Sequence, residues 1–193
     1  MKLKQFAAAF LFNENDEVLL LQKKADAKFL AGKRVPIGGH METEEMNDPK
    51  SACLREIYEE AGIEQHQFSD LTLKYVVHRM KNDYIYIQFI YFGKLKRNVG
   101  VVESDEGELI WIPSDRLKDD NVTEAIRELA MHYEKNGQYD EEIYVGAMLS
   151  NEGELICLGV YCKIGSDFQL NNILRLFYSV INGCYSVINI SIR

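Results

Sequence analysis

The sequence of 193 residues has few basic residues and few prolines, and each shortage excludes a class of protein. Its 22 lysines and arginines face 30 acidic residues, which gives a formal net charge of −8. Nucleic acid polymers and anionic membranes recruit proteins through basic surfaces, so neither is expected as the main partner. Three prolines and 47% hydrophobic residues argue against a disordered chain. We expect one domain, or one domain with an appended piece.

Cysteine is also scarce, and long apolar runs are missing. The four cysteines show neither a CxxC pair nor the spacing of a zinc site. No uncharged run reaches the roughly 18 residues of a transmembrane helix. The opening MKLKQFAAAFLF is a weak signal peptide, because its short apolar run continues as a strand pattern without a clear cleavage site. We therefore expect reduced, buried thiols in a cytoplasmic protein. The oligomeric state stays open, with a homodimer among the options.

The hydrophobic pattern predicts a succession of hairpins and two helices. A first hairpin joins KQFAAAFLFN to EVLLLQKK, and a second joins LTLKYVVHRM to DYIYIQFIYFGKLK. Asp48-Pro49 starts a helix that runs to about Ala61 and stops at Gly62. A short strand, ELIWIP, precedes a second helix that ends at Gly137, and a third hairpin joins EEIYVGAML to ELICLGVYC.

The tail carries a repeat. Tyr178–Asn182 reads YSVIN, and the same five letters return at Tyr185–Asn189. Asn182-Gly183 between two apolar runs favours a terminal hairpin, although a heptad-like helical seam is an alternative. We therefore predict a main domain over residues 1–160 and an extension of unknown role over residues 161–193.

Three carboxylates share one face of the first predicted helix. Glu56, Glu59 and Glu60 stand at positions i, i+3 and i+4, which places them within an arc of about 100°. Like charges so close destabilise a bare helix by a few tenths of a kcal/mol per pair. A hard divalent cation such as Mg²⁺ turns this destabilisation into a net stabilisation, because it prefers oxygen ligands. The cluster predicts a cation site, although a solvated acidic face is the simpler alternative.

The surroundings of the cluster favour the cation site. Arg55 lies four residues before Glu59 and can fix that carboxylate. The Gly38-Gly39 turn can bring its carbonyl groups close, because no Cβ stands in the way. We expect the opposite side of the helix to be buried; it carries Leu54, Ile57, Tyr58 and Ala61.

These residues resemble the signature of the Nudix hydrolase family. That signature is a glycine, five residues, a glutamate, seven residues and then Arg-Glu-aliphatic-x-Glu-Glu-x-Gly-aliphatic. Gly39, Glu45 and the segment 55–63, REIYEEAGI, match it. The departure is the nine residues, MNDPKSACL, between Glu45 and Arg55, which put the direction of Glu45 in doubt. The resemblance extends loosely over residues 1–135, and residues 64–193 contain nothing of comparable specificity.

The resemblance implies a fold and a set of ligands. The fold is α+β, an α/β/α sandwich around a mixed, largely antiparallel sheet, with the signature as a loop-helix-loop. Glu56, Glu59 and Glu60 resemble the family's divalent-metal ligands, together with the Gly39 carbonyl. Arg55 resembles the residue that orients the glutamates. The implied metal is Mg²⁺, with Mn²⁺ as a substitute.

The implied reaction is hydrolysis of a phosphoanhydride. Bound metal neutralises phosphate oxygens and lowers the pKa of a coordinated water, while one carboxylate accepts the proton. In related enzymes that base lies in the signature or on a later loop, which here reads ESDEGE. Glu106 is the first candidate, because Gly107 permits a close approach of the loop; Glu103 is second and Glu56 third. An exposed acidic turn without a catalytic role is the alternative.

The organic half of the substrate is only weakly indicated. Arg34 is a candidate for phosphate contact, and Phe29 and Tyr86 are candidates for stacking on a base, although most strand aromatics are core. The chain lacks the proline of ADP-ribose-cleaving relatives, and EGELIWIP is similar to a segment of the mutator-type (MutT-like) branch. The resemblance therefore favours a nucleoside triphosphate, including an oxidised dNTP, cleaved to a monophosphate and pyrophosphate.

Two other functions remain open at this point. A Nudix-fold sensor would bind nucleotides without turning them over, but it would be expected to have lost the carboxylates of the signature. A cation-binding module without phosphate chemistry would be expected to show an EF-hand-like loop, which the sequence lacks. Within the hydrolase function, the substrate could instead be another nucleoside diphosphate derivative.

Overall fold

The computed structural model describes residues 2–102, 104–119, 121–151, 154–156 and 162–164. Those residues form a mixed β-sheet with an α-helix on each face. The strands are β1 (Lys2–Phe12), β2 (Glu17–Lys23), β3 (Arg34–Val35), β4 (Ile37–His40), β5 (Phe68–Lys81), β6 (Tyr84–Leu95), β7 (Gly107–Pro113), β8 (Ile143–Asn151), β9 (Glu154–Ile156) and β10 (Cys162–Ile164). The helices are α1 (Pro49–Ala61) and α2 (Glu124–Lys135). A helix able to span a bilayer is not found in this described part of the chain.

The sheet has the mixed topology that was expected. Its strand order is β10-β8-β5-β6-β1-β2-β3, with β4 paired to β1, β7 to β2 and β9 to β8. The pairs β1–β6 and β5–β8 are parallel, and the other pairs are antiparallel. The predicted hairpins β1–β2 and β5–β6 both form. The α+β prediction with a largely antiparallel sheet is therefore confirmed.

Helix α1 begins and ends where its capping residues predict. The Asp48 carboxylate accepts the Ser51 N–H at 3.1 Å, which satisfies a free donor of the first turn. Gly62 ends the helix with φ at 68°, a left-handed conformation that a Cβ disfavours, and its N–H donates to the Tyr58 carbonyl at 2.9 Å. The end predicted for α2 is wrong by two residues, because Asn136 already leaves the helical region with φ at −133°.

The two helices lie on opposite faces of the sheet. Side chains alternate along β1, so Ala7 points to one face and Phe10 to the other. Ala7 pairs with Gly39 of β4, beside α1, while Phe10 stacks with Phe92 at 4.8 Å. Tyr133 of α2 stacks on Phe92 from the same side at 3.7 Å. Helix α1 and Gly39 therefore share one face, and α2 covers the other.

The buried side of α1 differs from the prediction. Ile57 and Ala61 are fully buried as expected, but Leu54 is only half-buried and Tyr58 is 58% exposed. Glu60 is only 6% exposed. The buried arc is rotated toward the acidic side, because α1 packs against β1 and β4 with its carboxylates directed at the glycine turn. The acidic arc and the buried arc therefore overlap instead of standing opposite each other.

The C-terminal predictions are tested only in part. The third hairpin is confirmed for its turn-proximal residues, since 149–151 pair with 154–156. Cys53 is a buried free thiol, as expected. The YSVIN repeat lies outside the described residues, and the division of the chain at residue 160 stays a prediction.

Candidate active site

Gly38 and Gly39 form the floor of the site, because the β1–β4 pairing places them against Ala8 and Ala7. Gly38 has φ at 148°, and a Cβ there would overlap the Ala7 carbonyl and lie 2.7 Å from the Ala8 Cβ. At Gly39 an added Cβ would lie 2.7 Å from Cδ of Glu56 and would overlap its carboxylate. The glycines therefore let the backbone of β4 and the acidic side of α1 approach each other.

Glu60 and Glu56 are held against this floor in a partly desolvated setting. The Gly38 N–H donates to Glu60 Oε2 at 2.9 Å. Burial raises the pKa of Glu60 to about 7, and the hydrogen bond from Gly38 only partly offsets it. Burial also raises the pKa of Glu56, against the opposing effect of Arg55. Negative charge is therefore less favourable at both carboxylates than in water, and a cation beside them would offset part of that cost.

Arg55 connects three glutamates through its guanidinium fork. Its Nε and Nη2 bind the two oxygens of Glu45 at 2.8 and 2.9 Å. Its Nη1 donates to Glu56 at 2.9 Å and to Glu59 at 2.8 Å, and Nη2 also reaches the His40 carbonyl at 3.0 Å. The bidentate pair with Arg55 lowers the pKa of Glu45. The fork therefore fixes the rotamers of carboxylates that would otherwise repel one another.

A second acidic loop, residues 104–107, lies beside the helix. Glu106 accepts a hydrogen bond from Lys23 at the end of β2. Burial is the largest cause of the raised pKa of Glu56 and of Glu60, and the charge of Glu106 adds to both. The β2–β7 pairing sets this position, since Lys23 pairs with Gly107. Glu103 lies outside the described residues.

The oxygen atoms around Gly39 suit a hard divalent cation. The donors offered are carboxylates and backbone carbonyls, the preferred ligands of Mg²⁺, and the space beside Gly39 is one that a Cβ would fill. Within the described residues, no three carboxylate, imidazole or thiol groups already converge on one point. Arg55 draws Glu56 and Glu59 toward itself, and carboxylates repel one another unless a cation lies between them.

The comparison of the chain with known protein families agrees with this site. The NUDIX domain profile matches residues 2–133, well over half of the chain. The chain belongs to the Nudix family. Segment 39–63 is thus its Nudix box, and the resemblance found in the sequence is confirmed.

Solved Nudix structures agree with the fold. The MutT protein from Bacillus halodurans has a TM-score of 0.64 and 21% identity, covering 83% of this chain and 97% of its own. A Nudix hydrolase from Nitrosomonas europaea gives 0.60 and 19%, covering 78% and 81%. An Ap4A hydrolase from C. elegans gives 0.56 and 20%, covering 68% and 96%. At such identities the likeness shows the fold alone. No curated protein sequence matches the chain.

The two extra residues of this Nudix box do not displace Glu45. A short 3₁₀ turn over Thr43–Glu45 precedes the cap of α1, and residues 46 and 47 lie between that turn and Asp48. The Glu45 N–H and side chain close a capping box with Glu42. Glu45 consequently points at Arg55, and the direction that the sequence left in doubt is settled.

The residues proposed as Nudix metal ligands differ in their exposure to solvent. Gly39 lies against Glu56, the neighbouring Gly38 N–H binds Glu60, and Arg55 braces Glu56. The side chain of Glu59 is 55% exposed, at the outer edge of this group. Its exposure follows from its angle on the helix, about 100° away from the buried Glu60, although it shares Nη1 of Arg55 with Glu56.

The residues proposed for substrate contact are dispersed. Tyr86 lies on the α2 face of the sheet, where Arg79 stands 4.9 Å from its ring centre and Phe6 stacks on it. Arg34 donates from Nε to Gln22 at 2.9 Å. Phe29 is 66% exposed on the loop between β2 and β3. The structure does not bring these three together around Gly39.

Sequence reasoning missed Lys23 and the cavity beside it. A cavity of about 730 Å³ opens between β2, β7 and the segment before Glu103, lined by Gln22, Lys23, Lys24, Val101, Val102 and Leu109, among others. Lys23 is 83 residues from Glu106 along the chain. Only the β2–β7 register could have signalled their contact, and the sequence does not give that register.

Proposed function

We propose that this Nudix protein is a Mg²⁺-dependent hydrolase that cleaves a phosphoanhydride bond in a nucleoside di- or triphosphate. The observation that carries the proposal is the pair Glu56 and Glu60, two partly desolvated carboxylates on either side of the glycine floor. Burial raises the pKa of both carboxylates, and a cation bound between them would offset the cost of keeping them ionised. The family membership supports the reaction class, since a phosphoanhydride is the bond that Nudix hydrolases cleave.

The roles of the residues follow from their positions. Glu56, Glu59, Glu60 and the Gly39 carbonyl would hold the cation. When bound, the cation supplies charge for the phosphate oxygens and acidity for a water. Arg55 orients Glu56 and Glu59 through its fork. Glu106 would accept the proton of the attacking water, because its carboxylate is mostly exposed and close to Glu56 and Glu60.

The cavity beside Lys23 is the proposed place of the organic half. Its volume of about 730 Å³ lies in the range of small-molecule sites. Valine and leucine side chains offer apolar contact, while Gln22 and Lys24 offer polar atoms. A nucleoside is the class of group that this mixed lining fits. Within that class, the mutator-type resemblance favours an oxidised or ordinary dNTP that yields a monophosphate and pyrophosphate.

Phosphate release across a substrate panel tests the proposal. The panel contains dNTPs, oxidised dNTPs, ADP-ribose, nucleotide sugars and Ap4A, each with Mg²⁺ and added pyrophosphatase or phosphatase. We expect at least one to be turned over, with the activity lost in EDTA. Glu60→Gln should lower kcat by about 10²-fold or more, the scale of losing one group that stabilises developing charge. Glu134→Gln, an exposed change on α2, is the matched control.

Two outcomes would contradict the proposal. Equal activity of Glu60→Gln and the parent would remove Glu60 from the cation site. Nucleotide binding without turnover of any member of the panel would favour a sensor. Such a protein would share the fold and the cavity but would not hydrolyse the nucleotide.

A further inference from the structure

Lys23 stands where the end of strand β2 meets the acidic loop, and its charge acts on Glu60 of the Nudix box. It is the last residue of β2, and its pairing with Gly107 sets it beside the loop 104–107. Its side chain is 17% exposed, whereas that of Glu106 is 58% exposed. The lysine is therefore the more firmly packed member of this ion pair.

The backbone of the loop is fixed by contacts other than Lys23. Lys24 donates from Nζ to the Asp105 carbonyl at 2.6 Å, and the Glu106 N–H donates to Ser104 Oγ at 3.2 Å. Gly107 lies so close to Gln22 that an added Cβ would overlap its carbonyl. These contacts set where the Glu106 backbone lies, and they leave the direction of its side chain to Lys23.

The charges near Glu106 would otherwise direct its side chain away. Glu56 and Glu60 of the box are acidic neighbours of Glu106, and like charges repel one another. The positive charge of Lys23 acts on Glu60 as well as on its partner Glu106. An exposed glutamate without this lysine would gain by rotating toward water.

We propose that Lys23 is a positioning residue, which holds the Glu106 carboxylate over the Nudix box in the orientation needed to accept a proton. This inference rests on the proposed function, because it assigns Lys23 a role in that reaction. A direct contact of Lys23 with a substrate phosphate is the competing role. The two roles differ in whether the effect of Lys23 passes through Glu106.

A double-mutant cycle separates the two roles. The full-length protein is compared as parent, Lys23→Met, Glu106→Gln and the double variant, with kcat and KM measured on the substrate found in the panel. Lys23→Met should lower kcat about tenfold, the scale of removing a residue that orients a reacting group, and change KM by less than about twofold. In the Glu106→Gln background the further loss should be absent, because the group that Lys23 positions no longer accepts a proton.

Two variants complete the cycle. Lys23→Arg should recover most of kcat, because its guanidinium can also bind a carboxylate. Lys94→Met, which removes an exposed lysine of β6, should change nothing. Losses that multiply in the double variant, or an effect confined to KM, would overturn the positioning role in favour of a phosphate contact.

The pairing itself can be tested without turnover. In protein with isotope-labelled lysine, the Lys23 Nζ resonance reports its carboxylate partner. We expect Glu106→Gln to shift the Lys23 signal and leave that of Lys94 unchanged. An unmoved Lys23 signal would overturn the inference even in an active enzyme. If the parent turns over no substrate while the Lys23 signal moves, the proposed function fails and the pairing stands.

Discussion

Two adjacent glycines have different physical reasons to be glycine. At Gly38 the conflict of an added Cβ is with backbone, and φ at 148° is unfavourable for any side chain. At Gly39 the conflict is with the end of the flexible Glu56 side chain. The first glycine is thus required by the fold and the second by the position of a carboxylate.

Alanine substitutions at the two glycines should therefore separate stability from activity. Gly38→Ala should lower the free energy of unfolding by about 3 kcal/mol or more, because a backbone clash adds to an unfavourable φ. Gly39→Ala should leave the free energy of unfolding within about 1 kcal/mol of the parent, because Glu56 can rotate, yet lower kcat by about tenfold. Urea denaturation and steady-state kinetics measure both. A Gly39→Ala variant that keeps full activity would show that Glu56 need not lie beside residue 39.

Glu60 should make the metal-free protein less stable as the pH rises. Its folded pKa of about 7 lies above the ordinary value of 4.5, so folding favours the protonated carboxyl. The stabilising contribution is complete below pH 4.5 and is lost as the pH rises through about 7, a difference of about 3 kcal/mol at most. In EDTA, Glu60→Gln should therefore unfold at higher urea than the parent at pH 8 and at similar urea near pH 4.5. A variant less stable than the parent at pH 8 would contradict the raised pKa.

At the scale of elements, the side chain of Arg55 ties helix α1 to the segments that precede it. Arg55 ties the helix to the 3₁₀ turn through Glu45 and to the end of β4 through the His40 carbonyl. The element that carries the carboxylates is thereby fixed relative to the glycine floor. A planar fork is needed for this, since one group must reach several acceptors in different directions.

Arg55→Lys should accordingly keep the positive charge and lose the several hydrogen bonds of the planar guanidinium group. A lysine ammonium cannot bind both oxygens of Glu45 and also reach Glu56 and Glu59. We expect kcat to fall about tenfold or more, while circular dichroism still shows a folded protein. Arg127→Lys on α2, which pairs with Glu124, is the matched control and should be neutral. An Arg55→Lys variant with parental kcat would mean that charge alone suffices.

At the scale of the whole molecule, the elements of the site all come from the first part of the chain. The NUDIX domain profile ends at residue 133, and the floor, the helix and the acidic loop all precede it. Strands β8 to β10 extend the sheet at the opposite edge, beyond β5. The reaction and the C-terminal extension are therefore expected to be separable.

A protein ending at Ile164 should retain the activity of the full chain. It keeps the described strands and loses only residues 165–193. We expect kcat and KM within about twofold of the parent, because no element of the site is removed. Loss of substrate binding in a folded truncated protein would show that the extension contributes to the site.

Local signals were sufficient for several parts of the structure. The limits of α1 follow from Asp48, Pro49 and Gly62, because capping depends on neighbouring residues only. The hairpins β1–β2 and β5–β6 follow from alternating apolar runs and short turns. The buried side of α1 was predicted wrongly at Tyr58, because periodicity gives the relative angles of side chains but not which angle meets the sheet.

The sequence by itself determined the fold class, the limits of the acidic helix and its match to the Nudix signature, since each depends on residues close together in the chain. Only the tertiary structure decided that Glu60 is buried, that Arg55 reaches Glu45 across two extra residues, and that Lys23 meets Glu106. Those facts depend on which strands pair and in what register. Register is set by the packing of the whole sheet, so no local pattern records it.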